Sequence, residues 1–262
     1  MNAREMLIYL SLKFNGDYRR MRKAILEKDF PSEAPLIPEF PFKTLTIVDE
    51  NFPEDLRNHC DCPLVLYYYG DISLISDIKK NLAVVGTRDP TFYGIQSTIE
   101  LVDAVAKQVN IVSGLARGID SIAQEEALRV GGKVIAILGS GIDHCYPYSN
   151  RALYEEIKKK GLVISEYPGF TEPTSDKFPL RNRIIAMLSS TILITEAYGR
   201  SGTSITTTYA LDMGKNVCCV PFLRNRGSLC NSLIAAGAFP VENGSDVLEI
   251  MKIDLPDEIF DL

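Results

Sequence analysis

The sequence predicts an α/β fold: a doubly wound, mainly parallel sheet of Rossmann-like type behind a short N-terminal helical segment. From residue 80 onward, short apolar runs rich in Val and Ile alternate with longer amphipathic stretches. That alternation marks strands buried on both faces and joined by helices. Glycines 86, 114, 118, 139, 141 and 202 stand where these runs pass into the helical stretches, as tight strand-to-helix turns require.

In chain order, residues 1–30 read as helical, with apolar positions at Met6, Leu7, Leu10, Phe14, Met21, Ile25 and Leu26. Residues 31–42 hold four prolines in PSEAPLIPEFPF, which stop a helix and make a linker. A short strand follows over 63–70. The six main strands are expected at 82–86, 111–114, 134–139, 162–165, 191–195 and 216–220, with helices near 94–108, 119–130, 150–160, 181–189 and 203–213. This organisation divides the chain into a helical segment with its linker (1–41) and a Rossmann-like unit (42–262) with an acidic C-terminal end.

The 262 residues are 46% hydrophobic and 24% charged, values of an ordinary globular chain. No uncharged apolar run approaches the ~20 residues of a membrane span, and the N-terminus reads as an amphipathic helix rather than a signal peptide. The expected location is the cytoplasm. Net charge is −6, but seven acids and one lysine lie in 242–262, so the rest of the chain is neutral. The acidity therefore leaves room for a local anion site. Six cysteines without a secretory signal read as reduced thiols. His59, Cys60, Cys62, His144 and Cys145 lack paired Cys-x-x-Cys spacing, so no metal and no cofactor are expected.

Ligands of open α/β sheets bind beyond the carboxyl ends of the strands. The six loops there carry Arg88, Arg117, Lys177, Arg181, Arg183, Arg200, Arg224 and Arg226. Arginine suits bidentate phosphate recognition, and glycine turns let backbone N–H groups approach an anion. The same loops hold Phe92, Tyr93, Tyr146, Tyr148, Tyr167, Phe178, Tyr198 and Phe222. Cations beside aromatic faces are the mixture that binds single-stranded nucleic acid. Named nucleotide motifs fail: GSGIDH lacks the third glycine of the dinucleotide fingerprint, and no Walker lysine motif exists. His144 beside Cys145 reads as structural, and the acids Asp143, Glu166 and Glu196 as caps or partners of local arginines.

VVGTRDPTFYG, IVSGLARGIDSIA, GKVIAILGSGIDHCYP, VISEYP, FPLRNRIIA and SGTSITTTYAL, in this order, resemble the DNA-processing protein A family (DprA, also called Smf). The resemblance covers roughly residues 42–250. It implies an extended Rossmann-like core, without known enzymatic activity, that binds single-stranded DNA, protects incoming DNA in natural transformation and loads a RecA-type recombinase. Carried over, the DNA site would use Gly86 and Arg88, then Ser113, Gly114, Arg117 and Gly118, then Lys177, Arg181, Asn182 and Arg183, with Ser201 and Gly202. The resemblance also implies a homodimer through Asn231, Leu233 and Ile234. Three positions depart from the family pattern: Gln124 for His, Phe222 for Gly after Pro221, and Leu229 for Gly. The alternative is a nucleotide-binding or nucleotide-hydrolysing enzyme of a related Rossmann-like superfamily. GRSGTSITT lacks the double Gly and the Glu that such enzymes carry.

Overall fold

A computed structural model describes residues 2–31, 37–199, 201–223 and 227–253. Arg200, Arg224, Arg226 and the acidic residues from 254 onward lie outside the described residues. The chain opens with α1 (Ala3–Lys13) and α2 (Tyr18–Glu27), then β1 (Lys43–Thr46), a short α3 (Glu54–Arg57) and β2 (Val65–Gly70). Next come β3 (Asn81–Val85), α4 (Phe92–Val105), β4 (Asn110–Ser113), α5 (Ile119–Arg129), β5 (Lys133–Gly141), α6 (Arg151–Lys160) and β6 (Leu162–Tyr167). The remainder is α7 (Lys177–Met187), β7 (Thr191–Ile194), α8 (Gly202–Asp212), β8 (Asn216–Cys219), α9 (Leu229–Ala235), β9 (Phe239–Pro240) and α10 (Gly244–Met251).

The strands form one sheet in the order β1-β2-β6-β5-β4-β3-β7-β8-β9. β3 to β8 are parallel, as the apolar runs predict. β2 pairs antiparallel with β6 and carries β1 beyond it, while the two-residue β9 extends the other edge. After β3 the chain winds outward through β4, β5 and β6, then returns to place β7 on the opposite side of β3. The topological switch point therefore lies between β3 and β7, where an open sheet leaves a crevice at its carboxyl edge.

Side chains alternate cleanly between two cores, as the two-residue period of a strand demands. Leu82, Val84, Val134, Ala136 and Leu193 join one cluster with α4, α5, α6 and α10. Ala83, Val85, Ile135, Ile137 and Ile192 join the other with residues of α7, α8 and α9. α7 begins at Lys177 rather than near 181. Pro179 masks the helical pattern in the sequence, but it falls in the first turn, where proline costs no intrahelical bond.

The N-terminal helices share the first core: Leu7, Leu10, Met21 and Ala24 are buried with Tyr67 and Val84. α1 starts in a capping box made by Asn2 and Glu5, and Asp17 caps α2 through the Arg19 and Arg20 N–H groups. The turn between them presses on the end of β6. Gly16 has φ +76°, and a Cβ there would stand 2.3 Å from the Glu166 carbonyl oxygen. Gly169 also has positive φ, at +50°, but nothing lies within 4 Å of its Cβ position. Gly169→Ala should therefore cost only the ~1 kcal/mol of left-handed strain. Gly16→Ala should cost clearly more, ~2–4 kcal/mol, because contact with the β6 backbone adds to the strain. Thermal unfolding of the two variants checks this, and equal melting temperatures would refute the close docking of the hairpin.

Candidate functional site

Beyond the last paired residues of β4 and β5, Ser113 and Ala136, the two strands part. Arg181 of α7 fills the opening. Its Nη1 donates to the carbonyls of Gly114, at 2.5 Å, and of Ile137. The N–H of the same Gly114 donates to Asp120 Oδ2 at 3.0 Å. Both backbone groups of one glycine are thus satisfied by two buried, oppositely charged side chains. Only glycine fits: a Cβ at 114 would lie 2.5 Å from the Arg181 guanidinium. Burial pulls the Arg181 pKa down to about 10, with Arg88 adding repulsion and Asp120 opposing both, so it is charged at neutral pH. Burial pushes the Asp120 carboxyl up, while Arg181 and its hydrogen bonds hold it down.

Arg181 connects onward. Its Nε donates to Asn182 Oδ1 at 3.0 Å, and Asn182 Nδ2 donates to the Gly202 carbonyl at 3.1 Å. These bonds tie α7 to the first residue of α8. They frame a cavity of about 350 Å³ at the β3/β7 switch point, lined by Gly86, Arg88, Asp120, Arg181, Ser201 and Gly202, among others. Ser201 opens α8 there, its backbone N–H donating to Ser204 Oγ at 3.2 Å. A second cavity of about 400 Å³ adjoins it and brings in Gly114, Arg117, Tyr146 and Phe178. A third, of about 490 Å³, again has Arg88, Arg181, Tyr146 and Phe178 in its wall. All three share Arg88 and Arg181 and form one groove along the carboxyl edge.

The groove is cationic. Arg88 and Arg117 are exposed, and among the described residues no carboxylate lies within 4.0 Å of either. It also has an aromatic wall: the Tyr146 and Phe178 rings are 5.4 Å apart and tilted by 36°, with Arg88 5.7 Å from the Phe178 centroid. Tyr93 takes a different position. Its hydroxyl donates to the Pro221 carbonyl at 2.9 Å and its ring meets Phe222 edge-on, so it joins the loops after β3 and β8.

Several residues expected at this surface stand behind it. Ser113 is buried and donates to the Val84 carbonyl at 2.6 Å. Gly118 opens α5 against the Thr87 carbonyl. Lys177 donates to the Glu172 carbonyl and to Thr174 Oγ1, with its ammonium over the Tyr167 ring. Arg183 is fully buried on the other side of α7, so it presents no charge to the groove. Its Nη2 holds both oxygens of buried Glu166 at 2.8 and 2.6 Å, and the Tyr18 ring lies 4.4 Å from its guanidinium carbon. Burial pushes the Glu166 carboxyl up and Arg183 pulls it back.

Two acids of the edge are similarly engaged. Glu196 accepts from the Thr91 N–H and hydroxyl and from the Tyr198 hydroxyl. Asp143 accepts from the Tyr69 hydroxyl at 2.6 Å. Cys145 is buried, which pushes its thiol up to about 11. At the departures from the family pattern, Gln124 is buried and donates to the Ile135 carbonyl at 3.3 Å. The Phe222 N–H and carbonyl are both bound by the Asn231 side chain. Sequence reasoning missed Asp120 as the partner of Gly114. The signal was its place six residues on, in the first turn of the following helix.

The family model for DNA recombination-mediator protein A matches residues 43–252. The DNA processing protein DprA of Streptococcus pneumoniae is 39% identical over 237 residues, covering 90% of this chain and 80% of the relative. Protein Smf of Synechocystis is 42% identical over 180 residues, 68% of this chain; the chain spans 45% of that longer relative. The X-ray structure of the S. pneumoniae protein superposes with a TM-score of 0.77 at 32% identity, covering 96% of this chain and 94% of that one. A structure of Helicobacter pylori DNA processing protein A, reported for its single-stranded DNA binding mode, gives 0.74 at 33%, covering 81% and 96%.

Arg183→Ala should destabilise the fold strongly, by ~3–5 kcal/mol, because Glu166 would stay buried without its partner. The double variant Arg183→Met with Glu166→Leu should recover much of that loss in thermal or denaturant unfolding. A single variant as stable as the parent would overturn the structural role.

Proposed function

The chain belongs to the DNA recombination-mediator protein A family, and on that premise we propose that it binds single-stranded DNA in the carboxyl-edge groove. One observation carries the reading: exposed Arg88 and Arg117 flank buried Arg181 beside the tilted Tyr146 and Phe178 rings, along one continuous groove. Guanidinium groups and the glycine-rich N-terminus of α8 suit phosphates, and open ring faces suit unpaired bases. Duplex DNA offers no such base faces. Gly86, Gly114, Asn182, Ser201 and Gly202 shape the groove, with Ser113, Gly118 and Lys177 supporting it from behind.

The role that follows is mediation: holding a single strand in the cytoplasm, protecting it, and handing it to a RecA-type recombinase. It is not catalysis. Asp120, Glu166 and Glu196 each serve a backbone group or an arginine, so they support the fold of the edge rather than acid–base chemistry.

We further propose a homodimer through α9. Leu233 and Ile234 are only partly buried, and Asn231 fixes the loop before α9 by bonding both backbone groups of Phe222. Beside them the short edge strand β9 presents an exposed Phe239.

Titrating single-stranded DNA at several salt concentrations tests the groove. Arg88→Ala should lower the slope of log K against log salt by ~0.7, one phosphate contact. Phe178→Ala or Tyr146→Ala should weaken binding by ~1–3 kcal/mol with the slope unchanged. Duplex binding as tight as single-strand binding would sink the reading. Separately, Leu233→Glu with Ile234→Glu should give a folded monomer in sedimentation, and a parent monomeric at every concentration would remove the dimer.

A further inference from the structure

The carboxyl edge continues past the groove. From β3 to β6 the sheet adds three strand intervals, ~15 Å. At the end of β6 the N-terminal hairpin closes over the backbone, with Gly16 against Glu166 and Tyr18 over Arg183. Arg183 is two residues from Arg181, so α2 is anchored through α7 to the wall of the groove. Immediately after Tyr18 come Arg19 and Arg20, both exposed, and one turn on comes exposed Lys23. Lys23 is the i+4 neighbour of Arg19 and the i+3 neighbour of Arg20 on the helical surface.

The local acids leave this face cationic. Asp17 spends its side chain capping α2, and Asp61 accepts from the Tyr18 hydroxyl at 3.3 Å. Lys23 pairs with Glu27 only loosely, at 3.8 Å with both exposed. Among the described residues, no carboxylate lies within 4.0 Å of Arg19 or Arg20. Arg20 instead lies over the half-buried Phe14 ring, 4.6 Å from its centroid. Between this face and the groove, the segment joining β6 to α7 carries Phe170, three-quarters exposed. Cations with intervening rings thus recur along the same edge. Asp176 and Glu172 are the acids of that stretch. Glu172 lies 3.7 Å from His144, and Asp176 immediately precedes α7.

We propose that the exposed face of α2, through Arg19, Arg20 and Lys23, is a second phosphate-binding surface that takes the strand leaving the groove. It lengthens the DNA footprint without adding base contacts. This rests on the groove reading above. The footprint then depends on the hairpin, so the N-terminal helices act in binding as well as in packing.

The test uses the full chain and two oligothymidines, one of ~6 nucleotides that fills the groove and one of ~30 that runs beyond it. The triple variant Arg19→Ala, Arg20→Ala, Lys23→Ala should bind the short strand as the parent does. On the long strand its salt slope should fall by up to ~2, ~0.7 for each lost contact. Arg19→Lys with Arg20→Lys should keep the parental slope, since phosphate needs the charge. An unchanged long-strand slope in the triple variant overturns the proposal, and so does equal weakening on both lengths. A larger loss on duplex than on single strand also overturns it and marks α2 as a duplex surface. Arg88→Ala is the separate control: if it weakens neither length, the groove reading fails whatever α2 does. Unchanged thermal unfolding of the triple variant excludes a folding defect.

Discussion

The carboxyl edge is organised around one buried guanidinium. Where β4 and β5 diverge, two strand carbonyls lose their ladder partners, and leaving such groups unpaired in the interior costs ~1–3 kcal/mol each. Arg181 meets both. Its presence then dictates its surroundings: glycine at 114, because no Cβ fits, and Asp120 on the adjoining N–H as a buried counter-charge. Asn182 passes the constraint on to the start of α8. The groove is consequently shaped by the chain alone, and pre-organisation of this kind would reduce the ordering cost of any binding there. A burial-depressed pKa of about 10 still leaves a full positive charge at physiological pH.

The same helix supports the opposite side of the molecule. Residues two apart on a helix point about 200° apart, so Arg181 and Arg183 face in nearly opposite directions. One contributes charge to the groove. The other neutralises Glu166 at the end of β6 and receives the Tyr18 ring. The hairpin is thereby joined electrostatically and sterically to the element that forms the groove wall. Among the described residues, Nη1 and Nε of Arg183 find no hydrogen-bond acceptor, so the ring face of Tyr18 is part of what makes this buried cation tolerable.

The parallel strands were legible in the sequence because burial on both faces leaves unbroken Val and Ile runs, such as LAVVG and VIAILG. The switch point followed less directly. Nothing local in TILIT states that it returns beside β3, since strand order is fixed by long-range packing. The residues of the groove were legible as types and not as directions. The sequence starts this helix only near 181, because Pro179 hides its first turn, so the arginines of FPLRNR stand at a loop-to-helix junction with no facing assigned. In the helix that actually forms, the 3.6-residue period puts Arg181 in the groove wall and Arg183 on the opposite side against Glu166. Tyr93 and Phe178 were similarly indistinguishable as loop aromatics. The Tyr93 hydroxyl reaches the Pro221 carbonyl, a contact between segments 128 residues apart that no spacing reveals.

The placement of charge also reconciles an acidic chain with an anionic ligand. The surplus acids belong to the C-terminal end, from residue 242, whereas Asp120, Glu166 and Glu196 of the carboxyl edge are bound to backbone N–H groups, hydroxyls or Arg183, and Asp89 stands exposed beside Arg88. A carboxylate that accepts such bonds is locally compensated and repels a phosphate less than its formal charge suggests. Arg88 and Arg117 are exposed, and among the described residues no carboxylate lies within 4.0 Å of either. Those exposed arginines, with buried Arg181, make the groove wall locally cationic. Net charge describes the molecule at long range; the exposed arginines describe the groove.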